Sequence, residues 1–222
     1  MSQRNAWEAV AGHWAELVRD DNDGKLPADV EAFFALLPPP GRRTLDLACG
    51  EGRIARRLAE LDHSVVGLDS SPTLMQLAEA ADPESRYVLG DAAQLPFADG
   101  SFDLVVCFMS FQDFDDPVAA IRESGRVLSV GGSLCFAVIH PFWTGGDVDE
   151  AADRFVVRGS YLATVPHIRP VMQVPSVHRP LEAYFRGLEA AGLRTERVRE
   201  LPSPNRLAGR MPAFLQVRAV KP

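Results

Sequence analysis

The chain has 222 residues, 46% of them hydrophobic, and a formal net charge of −7 at pH 7. A chain of this length favours a single domain with a sizeable buried core. Proteins that bind nucleic acid neutralise its phosphates with patches of Lys and Arg, and no such patch is evident in this acidic sequence. We therefore expect no nucleic-acid partner.

Membrane and secretory functions are not expected either. No stretch approaches the roughly 20 apolar residues that a transmembrane helix needs, and acidic residues interrupt the apolar ones near the N-terminus, unlike a secretory signal. The three cysteines, Cys49, Cys107 and Cys135, are an odd number without CxxC spacing, which argues against disulfides and zinc. These features favour a cytoplasmic protein with no membrane partner and no bound metal.

Helices are predicted first along the chain, and strands then alternate with helices. Residues 5–20 carry apolar side chains at helical spacing, and a second helix over 27–37 ends against Pro38-Pro39-Pro40, which cannot continue it. The next predicted elements are strand 44–48, helix 52–61, strand 64–69, helix 72–80, strand 86–89, strand 102–108, helix 116–128 and strand 133–139. This alternation predicts a parallel sheet with helices on both faces.

The regular pattern stops after the fifth predicted strand. Residues 141–178 contain several prolines and aromatic residues and show no clear period. A helix is predicted over 179–191, because its apolar residues line one helical face and Gly192 follows. Strands are predicted near 193–200 and over 213–220.

A glycine-containing turn follows the first predicted strand. Gly50 and Gly52 lack a Cβ, which lets the backbone turn sharply and approach a ligand closely. Asp69 ends the second predicted strand, at about the spacing from Asp46 at which an acid binds ribose hydroxyls. Because ligands of open α/β sheets bind outside the carboxyl ends of the strands, these residues should border one crevice. The pattern predicts a nucleoside-bearing cofactor.

Four sequence blocks carry a resemblance to a known family. Asp46–Gly52 (Asp-Leu-Ala-Cys-Gly-Glu-Gly) resembles the first motif of class I S-adenosylmethionine-dependent methyltransferases. The match is to the small-molecule branch, type 11, that includes the ubiquinone-biosynthesis methyltransferases. Three further blocks follow in that family's order: Gly90–Phe97, Ser101–Cys107 and Arg126–Leu134. The resemblance implies a Rossmann-like α/β fold with a seven-stranded sheet of order 3-2-1-4-5-7-6, whose last strand is antiparallel.

The resemblance also implies a cofactor, S-adenosylmethionine, with S-adenosylhomocysteine as the product. Asp46 and the glycine loop would hold its methionine part, Asp69 its ribose and Asp91 its adenine. The implied contacts are Asp46, Ala48, Cys49, Gly50, Gly52, Asp69, Ser70, Asp91, Ala92 and Ser110. Each acid also has an ordinary interpretation, since Asp46 could order the glycine loop, Asp69 could cap the next helix and Asp91 could belong to a plain turn.

The expected reaction needs little catalytic apparatus. The sulfonium of the cofactor is already a strong electrophile, so the protein mainly has to hold an acceptor atom in line with the methyl group at about 3–3.5 Å. A histidine base would remove a proton from a hydroxyl or ammonium acceptor. His140 is the first candidate because it ends the fifth strand, although it could instead hydrogen-bond the loop backbone before Pro141. His13, His167 and His178 are the further candidates.

The acceptor site is predicted mainly outside the cofactor-binding core. Trp143 and Tyr161 would form apolar aromatic walls. Gln112 would face the transferable methyl group, and Trp14 would cover the crevice as part of an N-terminal helical lid. The single domain, 1–222, is accordingly divided into N-terminal helices (1–40), a cofactor-binding core (41–140), an acceptor-binding insertion (141–178) and a C-terminal helix with strands (179–222).

The sequence therefore predicts methyl transfer to O, N or C of a small-molecule metabolite, by an enzyme that is a monomer or a homodimer. Two alternatives stay open. Gly50–Ala55 also fits the degenerate G-x-G-x-x-A pattern of nicotinamide-dependent oxidoreductases, although that function gives the later blocks no role. A protein that kept the fold but serves as a partner subunit, or performs non-methylating chemistry, is the other alternative.

Overall fold

The computed structural model describes residues 2–20, 28–149, 151–157, 159–169, 173–202 and 211–222. In chain order the helices and strands are α1 (Gln3–Asp20), α2 (Ala28–Phe34), β1 (Thr44–Leu47), α3 (Arg53–Glu60), β2 (Val65–Asp69), α4 (Pro72–Ala81), β3 (Arg86–Leu89), β4 (Phe102–Phe108), α5 (Pro117–Val127), β5 (Leu128–Ile139), α6 (Pro141–Thr144), β6 (Gly146–Asp149), β7 (Arg154–Val157), β8 (Val165–Arg169), β9 (Val174–His178), α7 (Leu181–Ala190), β10 (Arg194–Pro202) and β11 (Pro212–Val220). Residue 27, the predicted start of the second helix, lies outside the described residues.

The central sheet has seven strands in the order β10-β11-β5-β4-β1-β2-β3. Strands β1 to β5 pair in parallel, and β11 is antiparallel to both of its neighbours. Since β10 and β11 are the sixth and seventh strands of this sheet along the chain, the predicted order 3-2-1-4-5-7-6 with an antiparallel last strand is confirmed. All four residues of β1 are buried, as expected for a central strand that is covered on both faces.

Helices cover both faces of this sheet, and the alternation of side chains along β4 divides the core in two. Val105 and Cys107 belong to the larger apolar cluster, which includes residues of α5 and α7. Leu104 and Val106 point the other way and belong to a second cluster with residues of α2 and α3. Successive side chains of a strand face opposite sides of a sheet. This sandwich fixes β1 and β4 side by side at the centre.

The segment 141–178, which shows no clear period in the sequence, contains two β-hairpins. Strand β6 pairs with β7, and β8 pairs with β9. The strands are only four or five residues long, and burial does not alternate along them, because β9 is buried throughout whereas β7 and most of β8 are exposed. The sequence therefore shows no alternation of apolar and polar residues along these strands, because neither face of the hairpins is consistently buried. Along the described parts of the chain, no helix is long and apolar enough to cross a membrane.

Candidate functional site

One cavity of about 520 Å³ lies at the carboxyl ends of β1, β2, β3 and β4, beneath α1. This is where open α/β sheets bind their ligands. Its walls include most of the residues predicted to hold the cofactor: Asp46, Ala48, Cys49, Gly50, Asp69, Ser70, Asp91, Ala92 and Ser110. Trp14, predicted to contact the acceptor, also lines it. The structure thus brings together predicted site residues that are up to 96 positions apart in the sequence, from Trp14 to Ser110.

The loop after β1 has an unusual backbone. Ala48, Gly50 and Gly52 all have positive φ angles, of 58°, 58° and 84°, which glycine adopts without steric cost. A Cβ on Gly50 would lie 3.3 Å from the ring of Trp14, so the loop and α1 approach closely there. Gly52 is the N-cap of α3 and does not line the cavity, and a Cβ on it would lie 2.7 Å from the Tyr87 hydroxyl. Gly52 therefore packs against Tyr87 on the side of the loop that faces away from the cavity.

Asp46, on β1 just before this loop, carries a buried carboxyl group with one unpaired oxygen. Its exposed fraction is 1%, and its Oδ2 atom has no hydrogen-bond partner among the described residues. Burial, followed by the charges of Asp69 and Glu51, raises the pKa of Asp46 to about 8. A carboxylate in this position costs free energy unless a cation or donor reaches it. The cavity is therefore suited to a ligand with a positively charged group.

Asp69, the last residue of β2, is fixed by backbone donors. The amide of Gly50 donates to its Oδ2 atom at 2.9 Å, and the amide of Ser71 donates to its Oδ1 atom at 2.9 Å. Burial raises its pKa, while these amides and that of Ser70 lower it. Ser71 itself caps α4 through its hydroxyl, which accepts from Leu74 N at 3.1 Å, so α4 does not need Asp69 as its cap. Each carboxylate oxygen keeps a free lone pair for a ligand hydroxyl.

Asp91 lies in a turn after β3. It is exposed, its Oδ1 atom accepts from Ala93 N at 2.8 Å, and it forms an isolated bridge with Gln94. The plain-turn interpretation and the cavity position therefore both hold for this residue. Ala92, beside it, is half-buried against the apolar core.

The roof of the cavity is formed by α1. The rings of Trp7 and Trp14 meet edge to face with centroids 5.9 Å apart, and both residues line the cavity. Glu8 on the same helix accepts hydrogen bonds from the hydroxyls of Ser71 and Thr73 at the start of α4. These contacts tie α1 to the start of α4, so that the two tryptophan side chains cover the site.

The end of β4 closes the cavity on the other side. Met109 has a positive φ of 59°, and its amide donates to Ala137 O at 2.8 Å. Phe108 and Asp113 line the cavity in this region, and Asp113 forms an ion pair with Arg169 at the end of β8. Arg169 was missed from the sequence, because the irregular segment gives no indication of which of its residues reach the sheet.

Three residues predicted to contact the acceptor do not line the cavity. Gln112 is 2% exposed, and its amide nitrogen donates to Met109 O and to Asp113 Oδ2, the latter at 3.1 Å. The hydroxyl of Tyr161 accepts from a backbone amide at the start of α7. Trp143 stacks near Phe155 with ring centroids 6.5 Å apart. In this structure all three side chains contact other groups of the protein outside the cavity.

His140, the predicted base, does not line the cavity either. Its Nδ1 atom accepts from Phe142 N at 3.1 Å and so caps α6, and its Nε2 atom lies 2.9 Å from Glu200 Oε1. Burial lowers the pKa of His140, and Glu200 opposes that shift. Both ring nitrogens are thus engaged, and the alternative of a histidine bonded to the loop backbone matches the geometry. All five histidines lie in the described parts of the chain, and none lines the cavity.

Comparisons with known proteins agree with this arrangement. A family model described as a methyltransferase domain matches residues 45–136. A demethylmenaquinone methyltransferase of Beutenbergia cavernae is 35% identical over 155 residues, which are 68% of this chain and 61% of that protein. An uncharacterized methyltransferase of Mycobacterium tuberculosis is 39% identical over 104 residues, which are 47% of this chain and 42% of that protein. The chain thus spans between 42% and 61% of the length of these two curated relatives.

Among solved structures, an S-adenosylmethionine-dependent methyltransferase from Mesorhizobium loti superposes with a TM-score of 0.77 at 28% sequence identity. The superposition covers 89% of this chain and 99% of that one. The matched segment, 45–136, contains the glycine loop, Asp69 and Asp91. Together with the strand order of the sheet, these similarities show that residues 45–136 resemble a methyltransferase domain and that the chain has the Rossmann-like fold of S-adenosylmethionine-dependent methyltransferases.

Proposed function

We propose that this protein transfers the methyl group of S-adenosylmethionine to O, N or C of a small cytoplasmic metabolite. The observation that supports this most strongly is the shared cavity of Asp46, the glycine loop and Asp69. It joins a buried carboxyl group with an unpaired oxygen, a loop in which Gly50 has no Cβ, and a second carboxylate held by backbone amides. A small acceptor fits the volume of about 520 Å³, which lies in the range of small-molecule and cofactor sites.

The residues present fit the cofactor by their chemistry. The orphaned Oδ2 of Asp46 suits the ammonium group of the methionine part, because a buried carboxylate needs a positive partner. The missing side chain of Gly50 leaves room for backbone approach under Trp14. Asp69 suits the ribose hydroxyls, since a carboxylate held by two amides can still accept two further donors. Asp91 and Ala92 would meet the adenine.

When bound, the cofactor supplies an electrophilic methyl group on a positively charged sulfur. The chain's own residues bind the cofactor, orient it and shield it from water. Asp69 and the amide of Gly50 fix the sugar end, and the rings of Trp7 and Trp14 exclude water from above. Proximity and orientation alone can contribute roughly 7–11 kcal/mol to such a reaction.

The acceptor class follows partly from the relatives. The Beutenbergia cavernae relative is named for a demethylated quinone, and the present cavity has aromatic walls in Trp7, Phe108 and Phe114. We therefore propose a ring-bearing acceptor. The insertion 141–178 would contribute to its binding through the hairpin β8–β9, which carries Arg169 to the cavity.

Calorimetric titration with S-adenosylhomocysteine and with NADH tests this function. We expect micromolar-range binding of S-adenosylhomocysteine, and no comparable binding of NADH. Tritium transfer from methyl-labelled S-adenosylmethionine to acceptors would then separate an enzyme from a partner subunit. Tight binding of NADH without binding of S-adenosylhomocysteine would overturn the proposal in favour of an oxidoreductase.

A further inference from the structure

The strand order indicates where the acceptor enters. If adenine lies over β3, ribose over β2 and methionine over β1, the space that remains in the cavity lies beyond β1, over the end of β4. This part is the acceptor end of the cavity. It is lined by Trp7, Phe108, Phe114, Asp113 and Arg169. Aromatic rings thus surround one ion pair.

Asp113 is buried at this end but only half satisfied. Its exposed fraction is 6%. Its Oδ2 atom accepts from Arg169 and from Gln112 Nε2. Its Oδ1 atom is buried and has no partner with hydrogen-bond geometry among the described residues, although the similarly unpaired hydroxyl of Ser176 faces the carboxylate and lowers its pKa. An unpaired acceptor oxygen on a buried, charged group is unfavourable, and a bound donor would satisfy it.

A purely structural role leaves this arrangement unexplained. The neighbouring Arg179 already joins the hairpin to the turn after β4, because it donates to the carbonyls of Gln112 at 3.1 Å and of Phe114 at 2.6 Å. Arg169 stacks over the ring of Trp7 at 5.5 Å and has a buried Nε atom without a partner. Arg179 thus already connects the hairpin β8–β9 to the turn after β4. The ion pair of Asp113 and Arg169 adds two unpaired polar atoms, Asp113 Oδ1 and Arg169 Nε, to this contact.

The charges next to Asp113 favour a neutral acceptor group over a cationic one. Asp115 and Asp116, which also line the cavity, accept from the backbone amides of Gln3 and Ala119. Burial raises the pKa of Asp113 to about 6, and Arg169 opposes that shift, so the carboxylate is ionised at neutral pH. Arg169 then balances its charge, and an ammonium ligand would meet a guanidinium beside the carboxylate. The other polar groups that face this carboxylate are Arg179, Tyr184, Ser176 and Cys107.

On the basis of the proposed methyl transfer, we propose that Asp113 binds the hydroxyl group of a phenolic or hydroquinone acceptor and removes its proton, with Arg169 as the positioning residue. The hydroxyl oxygen forms a bond to the methyl carbon, the carbon–sulfur bond breaks and its electron pair stays on sulfur. The hydroxyl proton passes to Asp113 Oδ1. Arg169 stabilises the negative charge that develops on the acceptor oxygen.

The test uses 1,4-dihydroxynaphthalene as the acceptor probe under anaerobic conditions, with methyl-labelled S-adenosylmethionine. We expect Asp113→Asn to lower the rate of methyl transfer at least 100-fold, the range of a lost general base, with the affinity for S-adenosylhomocysteine changed less than twofold. At saturating S-adenosylmethionine, where ionisation of Asp46 does not limit cofactor binding, the wild-type rate should rise with pH through about 6, and the variant should lose this limb. Arg169→Lys should retain more activity than Arg169→Gln. The control is Asp99→Asn, an exposed partner of Arg126 away from the cavity.

Each outcome decides between explanations. Transfer by Asp113→Asn within threefold of the wild type, or a pH limb that persists in it, would overturn the role of Asp113 and return His140 to consideration. Methylation of tryptamine in preference to the hydroxyl probe, or no methylation of the probe by a wild-type protein that binds S-adenosylhomocysteine, would overturn the acceptor class. Failure to bind S-adenosylhomocysteine would instead overturn the proposed function itself. Unchanged binding of S-adenosylhomocysteine by Asp113→Asn shows that the variant is folded.

Discussion

The two ends of the cavity are built in different ways. At the end over β1 and β2, the polar groups come from one short stretch that includes Asp46, Gly50 and Asp69, and backbone amides hold the last of these. At the acceptor end, Trp7, Asp113 and Arg169 come from three distant segments. The first end depends on local backbone geometry, and the second depends on how α1 and the hairpin β8–β9 dock onto the sheet. Mutations at the two ends should therefore differ in what they disturb.

The largest effect on cofactor binding is expected for Asp69→Ala. This change removes an acceptor for the ribose hydroxyls and also frees the amides of Gly50 and Ser71, which now bond to the carboxylate. With about 1.5–3 kcal/mol for each hydrogen bond to a charged group, the affinity for S-adenosylhomocysteine should fall at least 100-fold by calorimetry. Asp69→Asn, which keeps one acceptor oxygen, should lose less. Equal affinities for Asp69→Ala and the wild type would show that this end is not the ribose site.

Asp46→Asn should weaken binding less and stabilise the ligand-free protein. The pKa of Asp46 is raised to about 8 in the folded state from 3.8, so between these values the folded protein holds a proton that the unfolded chain releases. Stability is consequently lost as the pH rises through this window. The amide has no such proton to lose, so the gain in Tm over the wild type should be larger at pH 8.5 than at pH 5.5.

The same substitution should lower the affinity for S-adenosylhomocysteine roughly tenfold or more at pH 8, because a charge-assisted hydrogen bond becomes a neutral one. Wild-type affinity should rise from pH 6 to pH 8 as Asp46 ionises, whereas that of the variant should stay flat. A Tm difference between the two proteins that does not change with pH would contradict a buried, uncompensated carboxylate at this position.

The contrast between the two ends also explains what the sequence could predict. Asp46, Gly50 and Asp69 follow from strand ends and a glycine turn, which are local signals, and the resemblance extends over the same residues. The sheet order follows from that resemblance and is confirmed. Arg169 follows from neither, because its hairpin has short strands without alternating burial. His140 directly follows the fifth strand, but its ring nitrogens are engaged by the amide of Phe142 and by Glu200.

Gly50→Ala should have a smaller effect than either acid substitution, and it tests the local end alone. Its φ of 58° costs an alanine roughly 1–2 kcal/mol, and the new methyl group would press on Trp14 at 3.3 Å. We expect a loss of affinity for S-adenosylhomocysteine of about tenfold. Gly131→Ala is the matched control, because Gly131 has a φ of 79° and no atom within 4 Å of its Cβ position. It should lose similar stability but keep the affinity, and a shared loss would assign the effect to backbone strain alone.

The smallest effect is expected where α1 is tied to the start of α4. Glu8 accepts from the hydroxyls of Ser71 and Thr73, and these hydrogen bonds, together with the coulombic effect of Arg4, lower its pKa although partial burial raises it. Glu8→Gln keeps the shape but replaces charge-assisted hydrogen bonds by neutral ones, which are about half as strong. The roof should open more often, so dissociation of S-adenosylhomocysteine in stopped-flow experiments should be roughly two- to threefold faster. Glu16→Gln, at an exposed site on the same helix, should leave that rate unchanged. If both variants behave like the wild type, the docking of α1 does not limit ligand release, and the two ends of the cavity are less different than their construction indicates.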